Sequence, residues 1–186
     1  MLLFALTSDI EQTTDHADLD ALLQSISCGD RDCLGELYKA TRTSVYSFAL
    51  SILKSHQDAE DVLHDCYVTV WNSAGGYFSH GKPLAWILTI TRNLCLQCLR
   101  ERRKTEDVPQ EDWEQRLPNT GTFTVEERSI LLSCMEQLSD QERQIVTLHA
   151  AAGLKHREIA ALLELPLSTV LSKYARALKK LKQYLQ

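Results

Sequence analysis

Three short stretches of this chain bring together residue types that can do chemistry. The segment GYFSHGKP, Gly76 to Pro83, nearly meets the Gly-x4-Gly-Lys-Ser/Thr spacing with which backbone N–H groups cradle nucleotide phosphates. Asp61, His64 and Asp65 stand at i, i+3, i+4 spacing, which on a helix gathers two carboxylates and an imidazole on one face, as a metal site would. Cys95-Leu-Gln-Cys98 is a CxxC pair, a form used by metal and redox sites. Each set is incomplete. Pro83 stands where the magnesium-binding hydroxyl belongs, and a phosphate loop also needs a strand before it. No second ligand cluster accompanies the acid–histidine triplet or the cysteine pair. The plainer readings are a turn between helices, an exposed polar face and an apolar helix face. No enzymatic activity, metal or cofactor is expected.

The elements that must position these residues all read as helices. Leu19, Leu22, Leu23 and Ile26 recur at helical spacing, and after Gly29-Asp30 the pattern resumes from Cys33 to Leu53. Ser55 or Asp58 can cap a following helix whose first turn is acidic, as the helix dipole prefers. The fragment YVTVW has strand-forming residues, yet Val62, Leu63, Cys66, Tyr67, Val70 and Trp71 make one helical face, which Gly75-Gly76 ends. A further helix is expected from Pro83 to about Lys104, with Leu84, Ile87, Leu88, Thr91, Leu94, Cys95, Cys98 and Leu99 inward. Its other face carries Arg92, Asn93, Gln97, Arg100 and Arg103.

The stretch from Thr105 to Glu127 breaks the pattern. It holds two prolines and one glycine and is strongly acidic, so residues 106–123 read as a linker between domains at 16–105 and 124–186. In the second domain Val125 to Leu138 reads as a helix. Ser139-Asp140 caps another that ends near Gly153. Lys155 to Leu163 is short and amphipathic, Glu164-Leu165-Pro166 is a tight turn, and a last helix starts near Leu167 with Val170, Tyr174, Ala177, Leu178 and Leu181 inward. The fold class is therefore all-α, two helical domains joined by an acidic linker.

Composition limits the possible partners. The formal net charge of −5 argues against coating nucleic acid by bulk electrostatics. The apolar start lacks a basic residue before it, so it does not read as a signal peptide, and no run is long enough to span a bilayer. Six scattered cysteines in such a chain read as reduced, mostly buried thiols of a cytoplasmic protein.

Local charge says more than net charge. Two short helices joined by a tight turn describe a helix-turn-helix, and the chain has no acid from Leu167 onward while it carries Lys173, Arg176, Lys179, Lys180 and Lys182. Ser168, Thr169, Ser172, Lys173 and Arg176 lie near the start of the last helix, where a recognition helix meets base edges and phosphates in a major groove. Lys179 to Lys182 also complement the helix dipole.

These motifs resemble a known family. LSDQERQIVTLHAAAGLKHREIAALLELPLSTVLSKYARALKKLKQYL resembles the promoter −35-binding region of extracytoplasmic-function (group 4) RNA polymerase sigma factors, matching at Arg143, Gly153-Leu154, Glu158-Ile159-Ala160, Thr169-Val170 and Ser172. It departs at Ser168, Leu171 and Lys173, where the family has Gly, Lys/Arg and Arg, so the promoter sequence read should differ. DAEDVLHDCYVTVW resembles the segment that docks on the coiled coil of the polymerase β′ subunit, which implies core-binding contacts from Asp58, Glu60, Asp61 and Asp65. KPLAWILTITRNLCLQCLRERRK resembles the −10 region, matching at Pro83, Trp86, Ile87, Ile90 and Asn93. That implies single-strand contacts from Lys82, Arg92, Asn93, Gln97 and Arg100, with Tyr77, Phe78 and His80 in the loop and Trp86 read first as core.

The resemblance implies a transcription initiation factor that binds core RNA polymerase through its β′ and β subunits, recognises −10 and −35 promoter DNA, and is held inactive by an anti-sigma factor. The competing expectation is a free-standing helix-turn-helix regulator, which would bind duplex promoter DNA tightly without polymerase.

Overall fold

The computed structural model describes residues 16–79, 81–104 and 133–184. The expected linker, most of the helix read from Val125, His80 and the first fifteen residues lie outside the described residues. The elements are α1 (His16–Ser27), α2 (Arg31–Leu53), α3 (His56–Ser73), a 3-10 turn (Ala74–Gly76), α4 (Pro83–Lys104), α5 (Asp140–Ala150), α6 (His156–Leu163) and α7 (Leu167–Tyr184). The fold is all-α, with two helical domains and no strand among the described residues.

Local chemistry sets the boundaries. Asp30 caps α2 by accepting from the backbone N–H groups of Asp32 and Cys33. Ser55, rather than Asp58, caps α3. Ser139 and Glu142 form a reciprocal capping box at the start of α5. YVTVW is helical, because Tyr67 and Val70 are buried on the face that periodicity marks out.

The first domain packs α2, α3 and α4 around Leu37, Phe48, Cys66, Val70, Ile87 and Leu88. Its buried Thr41, Ser51 and Thr91 hydroxyls are paired. Thr41 and Tyr67 hydroxyls meet at 2.7 Å, and the Cys66 thiol lies 3.4 Å from the Thr91 hydroxyl. Burial pushes the Cys66 thiol up to about 11 and the Cys95 thiol up to about 12, so both stay protonated and act as small apolar groups.

The second domain is built on α5, α6 and α7. His149, His156 and Tyr174, one from each helix, pack with ring centroids 4.7–5.0 Å apart, the two histidines tilted to each other and each edge-on to the tyrosine. Burial, then the neighbouring His149, lowers the pKa of His156 and so favours its neutral form. Glu164 ends α6 in the left-handed region at φ +57°, and the Leu165 N–H returns to the Ala160 carbonyl, so the chain reverses within three residues into α7.

The two domains share a buried cluster, in which Val45 and Phe48 of α2 join Ile145 and Leu148 of α5. Three ion pairs span the same junction. Lys54 meets Asp140 at 2.8 Å, Lys82 meets Glu158 at 3.7 Å, and Arg92 meets Glu164 at 3.4 Å. In each pair the cation comes from the first domain and the carboxylate from the second.

Candidate core-polymerase and promoter-DNA surfaces

Three exposed strips on three helices hold nine of the fourteen contact residues singled out from sequence. On α3 the side away from the core presents Glu60, Asp61, His64, Asp65, Val68 and Asn72. Val68 is 47% exposed and follows Asp61 and Asp65 at i+7 and i+3, so the acids flank an apolar spot. Sequence reasoning passed over Val68 because it sits inside a run of residues that mostly face the core. Asp58 differs from its neighbours. Its side chain is largely covered and pairs with the Arg102 guanidinium of α4, so it already has a partner within the domain.

On α4, Thr89, Asn93, Gln97 and Arg100 form an exposed strip at i, i+4, i+8, i+11. Thr89 was not singled out from sequence. Its hydroxyl donates to the Ala85 carbonyl, a bond available to any helical threonine, which gives no distinctive signal. Gln97 donates to Glu101 at 3.0 Å. Arg92 is set apart from the strip, turned toward Glu164. The Pro83–Lys104 span agrees with the expected helix. Before it, Gly81 adopts φ +66°, which admits the turn that Pro83 follows. Lys82 projects from this turn to Glu158. Tyr77 is bonded to Asp20 of α1 and packs on Trp86 with centroids 4.9 Å apart. Both therefore support the loop, while Phe78 at 76% exposure stands open. The segment GYFSHGKP is thus preceded by helix and turn, not by a strand.

On α7 an exposed strip runs through Ser168, Leu171, Ser172, Ala175, Arg176 and Lys179. Their i, i+3, i+4, i+7, i+8, i+11 spacing is one continuous face. Thr169 and Lys173 are half-buried at its margin. Arg176 Nε donates to the Ser172 carbonyl one turn back, which leaves the guanidinium on the outer face. Lys180 is used internally. Its ammonium reaches the buried Glu142 carboxylate of α5 at 2.7 Å. Burial alone would raise the Glu142 pKa, but Lys180 and the capping-box donors of Ser139 outweigh it and hold the carboxyl at about 2.

A folded-state carboxyl held below its ordinary value near 4.5 adds stability above that value, and loses it as the pH falls toward about 2. Acid unfolding followed by circular dichroism should therefore show a transition in this window that Glu142→Gln abolishes. At neutral pH that variant should be less stable by about 2 kcal/mol, since Lys180 and the Ser139 N–H lose their anionic partner.

Arg143, a motif residue, is buried at 5% exposure on the inner side of α5. Its guanidinium donates to the carbonyls of Met135 and Leu138 and to the Asp140 carboxylate. It ties the segment before α5 to α5 and touches no outer surface.

This arrangement has an acid-and-apolar strip on one helix, a polar strip on its neighbour, and an acid-free strip on a separate helix-turn-helix. Comparison with known proteins decides its family. Residues 37–105 match "Sigma-70 region 2" and residues 128–181 match "Sigma-70, region 4". The chain belongs to the sigma-70 family, in its extracytoplasmic-function group. It is 29% identical over 175 residues to the ECF RNA polymerase sigma factor SigK of Mycobacterium ulcerans, covering 90% of this chain and 94% of that one. With SigK of Mycobacterium bovis it shares 28% identity over 176 residues, covering 91% and 94%. The sigma factor RpoE of Bartonella quintana, solved in complex with the anti-sigma factor NepR, superposes with a TM-score of 0.68 at 22% identity, covering 81% of this chain and 95% of that one. CnrH in complex with the cytosolic domain of CnrY gives 0.64 at 23% identity, covering 90% and 97%. These superpositions establish a shared fold.

As a member of this family the chain is a transcription initiation factor of a regulatory, non-enzymatic class, and the region 2 match over α2 to α4 favours this over a free-standing helix-turn-helix regulator. Among the described residues no helix is long and apolar enough to cross a membrane, and no group of three His, Cys, Asp or Glu side chains is placed to hold a metal ion.

Proposed function

We propose that this sigma factor divides its work among the three strips. The α3 strip, with Glu60, Asp61 and Asp65 around Val68, docks on core polymerase, and Asp58 contributes by holding α3 to α4 through Arg102. Thr89, Asn93, Gln97 and Arg100 of α4, with Lys82 and Arg92 at its edges, receive the melted −10 strand, where cations meet phosphates and the exposed loop offers Phe78 to an unstacked base. Ser168, Ser172 and Arg176 read the −35 duplex, with Thr169 and Lys173 at the margin of that face.

The observation that carries this reading is the separation of charge. α7 bears five cations and no acid in a chain of net charge −5, whereas the exposed α3 strip is acidic. Such segregation steers one surface toward phosphates and keeps the other from them. Each DNA half-site is short, so promoter selection needs both, joined through residues 106–123. The chain performs no catalysis in this scheme, and nucleotide addition belongs to the polymerase. The protein acts in the cytoplasm, where core polymerase and promoters are. An anti-sigma factor is the expected regulator, a reading supported by the superposed sigma factor RpoE, which was solved in complex with the anti-sigma factor NepR.

The test is core binding by the Asp61→Ala, Asp65→Ala double variant. Its affinity for core polymerase should fall about tenfold or more, with thermal stability within about 0.5 kcal/mol of the parent because both side chains are exposed. Unchanged affinity would remove α3 from the interface.

A further inference from the structure

Five of the six positions on the exposed strip from Ser168 to Lys179 carry polar, cationic or minimal side chains. The exception is Leu171, which is 47% exposed. Leu167, one turn earlier, and Tyr174, one turn later, both pack on the core, so the helix has an inward face for its large apolar residues and Leu171 is not on it. Single exposed leucines are ordinary on protein surfaces and carry no meaning by themselves. This one lies at the centre of a strip flanked by Ser168, Ser172 and Arg176, on a helix without a single acid. Ala175 follows it at i+4 and is exposed too, so the two form a small apolar patch between hydrogen-bonding and cationic groups.

The charge of α7 specifies the occupant as a polyanion, and an α-helix is an element that a major groove admits. In that groove hydrogen-bond donors and acceptors line every base pair, and one base adds an apolar group, the C5-methyl of thymine. Leucine can neither donate nor accept a hydrogen bond, so it cannot read guanine, adenine or cytosine edges. Set against any of them it would strip water from a polar edge without replacing the lost bonds. Against a thymine methyl it loses nothing and buries apolar surface.

We propose that Leu171, backed by Ala175, is a specificity-determining contact that selects thymine at one position of the −35 element through its C5-methyl. This rests on the reading of α7 as the helix that enters the major groove, and adds to it a residue and the chemical group it takes.

The experiment uses core polymerase reconstituted with the full-length chain. A promoter library with a randomised −35 element identifies the preferred sequence, and each thymine in it is then replaced singly by deoxyuridine, which removes only the methyl. With the native chain one such replacement should reduce promoter-dependent transcription about three- to fivefold, the effect of one buried methyl group. With Leu171→Ala the same replacement should change it by less than about 1.5-fold, because the contact is already absent. Methyl effects of equal size in the two proteins, or a preferred element without thymine, would overturn the proposal. Arg176→Ala separates the two layers of inference. If it removes the dependence on the −35 element while the methyl effects ignore Leu171, the methyl contact alone is wrong. If Arg176→Ala leaves that dependence intact, α7 is not the reader and both fall.

Discussion

Replacing Arg143 with alanine should destabilise the second domain by about 3 kcal/mol. The guanidinium is buried and satisfies two carbonyls that end the segment before α5, those of Met135 and Leu138, while its charge is met by Asp140. Alanine removes these bonds; the Met135 carbonyl keeps the Leu138 N–H, but the Leu138 carbonyl loses its guanidinium donor in a place that water reaches poorly. Lysine keeps the charge but has no planar fork to span both carbonyls, so Arg143→Lys should recover less than half of the loss. Chemical denaturation read by circular dichroism measures both, and a loss under about 1 kcal/mol for Arg143→Ala would contradict the role given to these bonds. In transcription the alanine variant should lose its dependence on the −35 element yet still bind core polymerase, because the domain that carries α3 remains folded.

Arg176→Ala should produce the larger functional loss without a structural one. The side chain is exposed and its one bond is to its own helix, so removing it costs the fold little. A guanidinium bound bidentately to a base edge contributes about 1–3 kcal/mol of discrimination, which corresponds to a fall in promoter-dependent transcription of about fivefold to 150-fold. Core binding, measured by fluorescence anisotropy of labelled sigma factor, should be unchanged. Parallel losses in both measurements would mean that α7 contributes to the polymerase interface as well as to DNA.

Much of this architecture could be read from the chain, because helices announce themselves through short-range rules. Leu84, Ile87, Leu88, Thr91 and Cys95 repeat at a spacing that only a helix can bury together, and α4 runs from Pro83 as expected. The Ser139 cap and the Glu164-Leu165-Pro166 turn are equally local. What sequence could not supply depends on residues far apart. Asp58 looks like any exposed first-turn acid until Arg102, forty-four positions later, is seen against it. Arg143 is recognisable as a motif residue, yet a cation in a polar stretch gives no hint that it is interior. Lys173 and Ala175 are both part of the last helix, and only the rotation of that helix against α5 puts alanine outward and turns lysine toward the margin. Val68 escapes for the opposite reason, since an apolar residue in a helix is assigned to the core until its exposure is known.

The ion pairs between the domains bear on how ionic strength governs promoter binding. A lone lysine or arginine that takes up a phosphate sets free the small ions condensed there, and each such contact steepens the logarithmic salt dependence by about 0.7 to 0.9. Lys82 and Arg92 already hold Glu158 and Glu164. For them DNA binding is an exchange of one anion for another, and added salt screens the old pair as well as the new one. The salt dependence of promoter binding should therefore register fewer ions than the number of cations that finally touch DNA, and neutralising Glu158 and Glu164 should bring the two counts together.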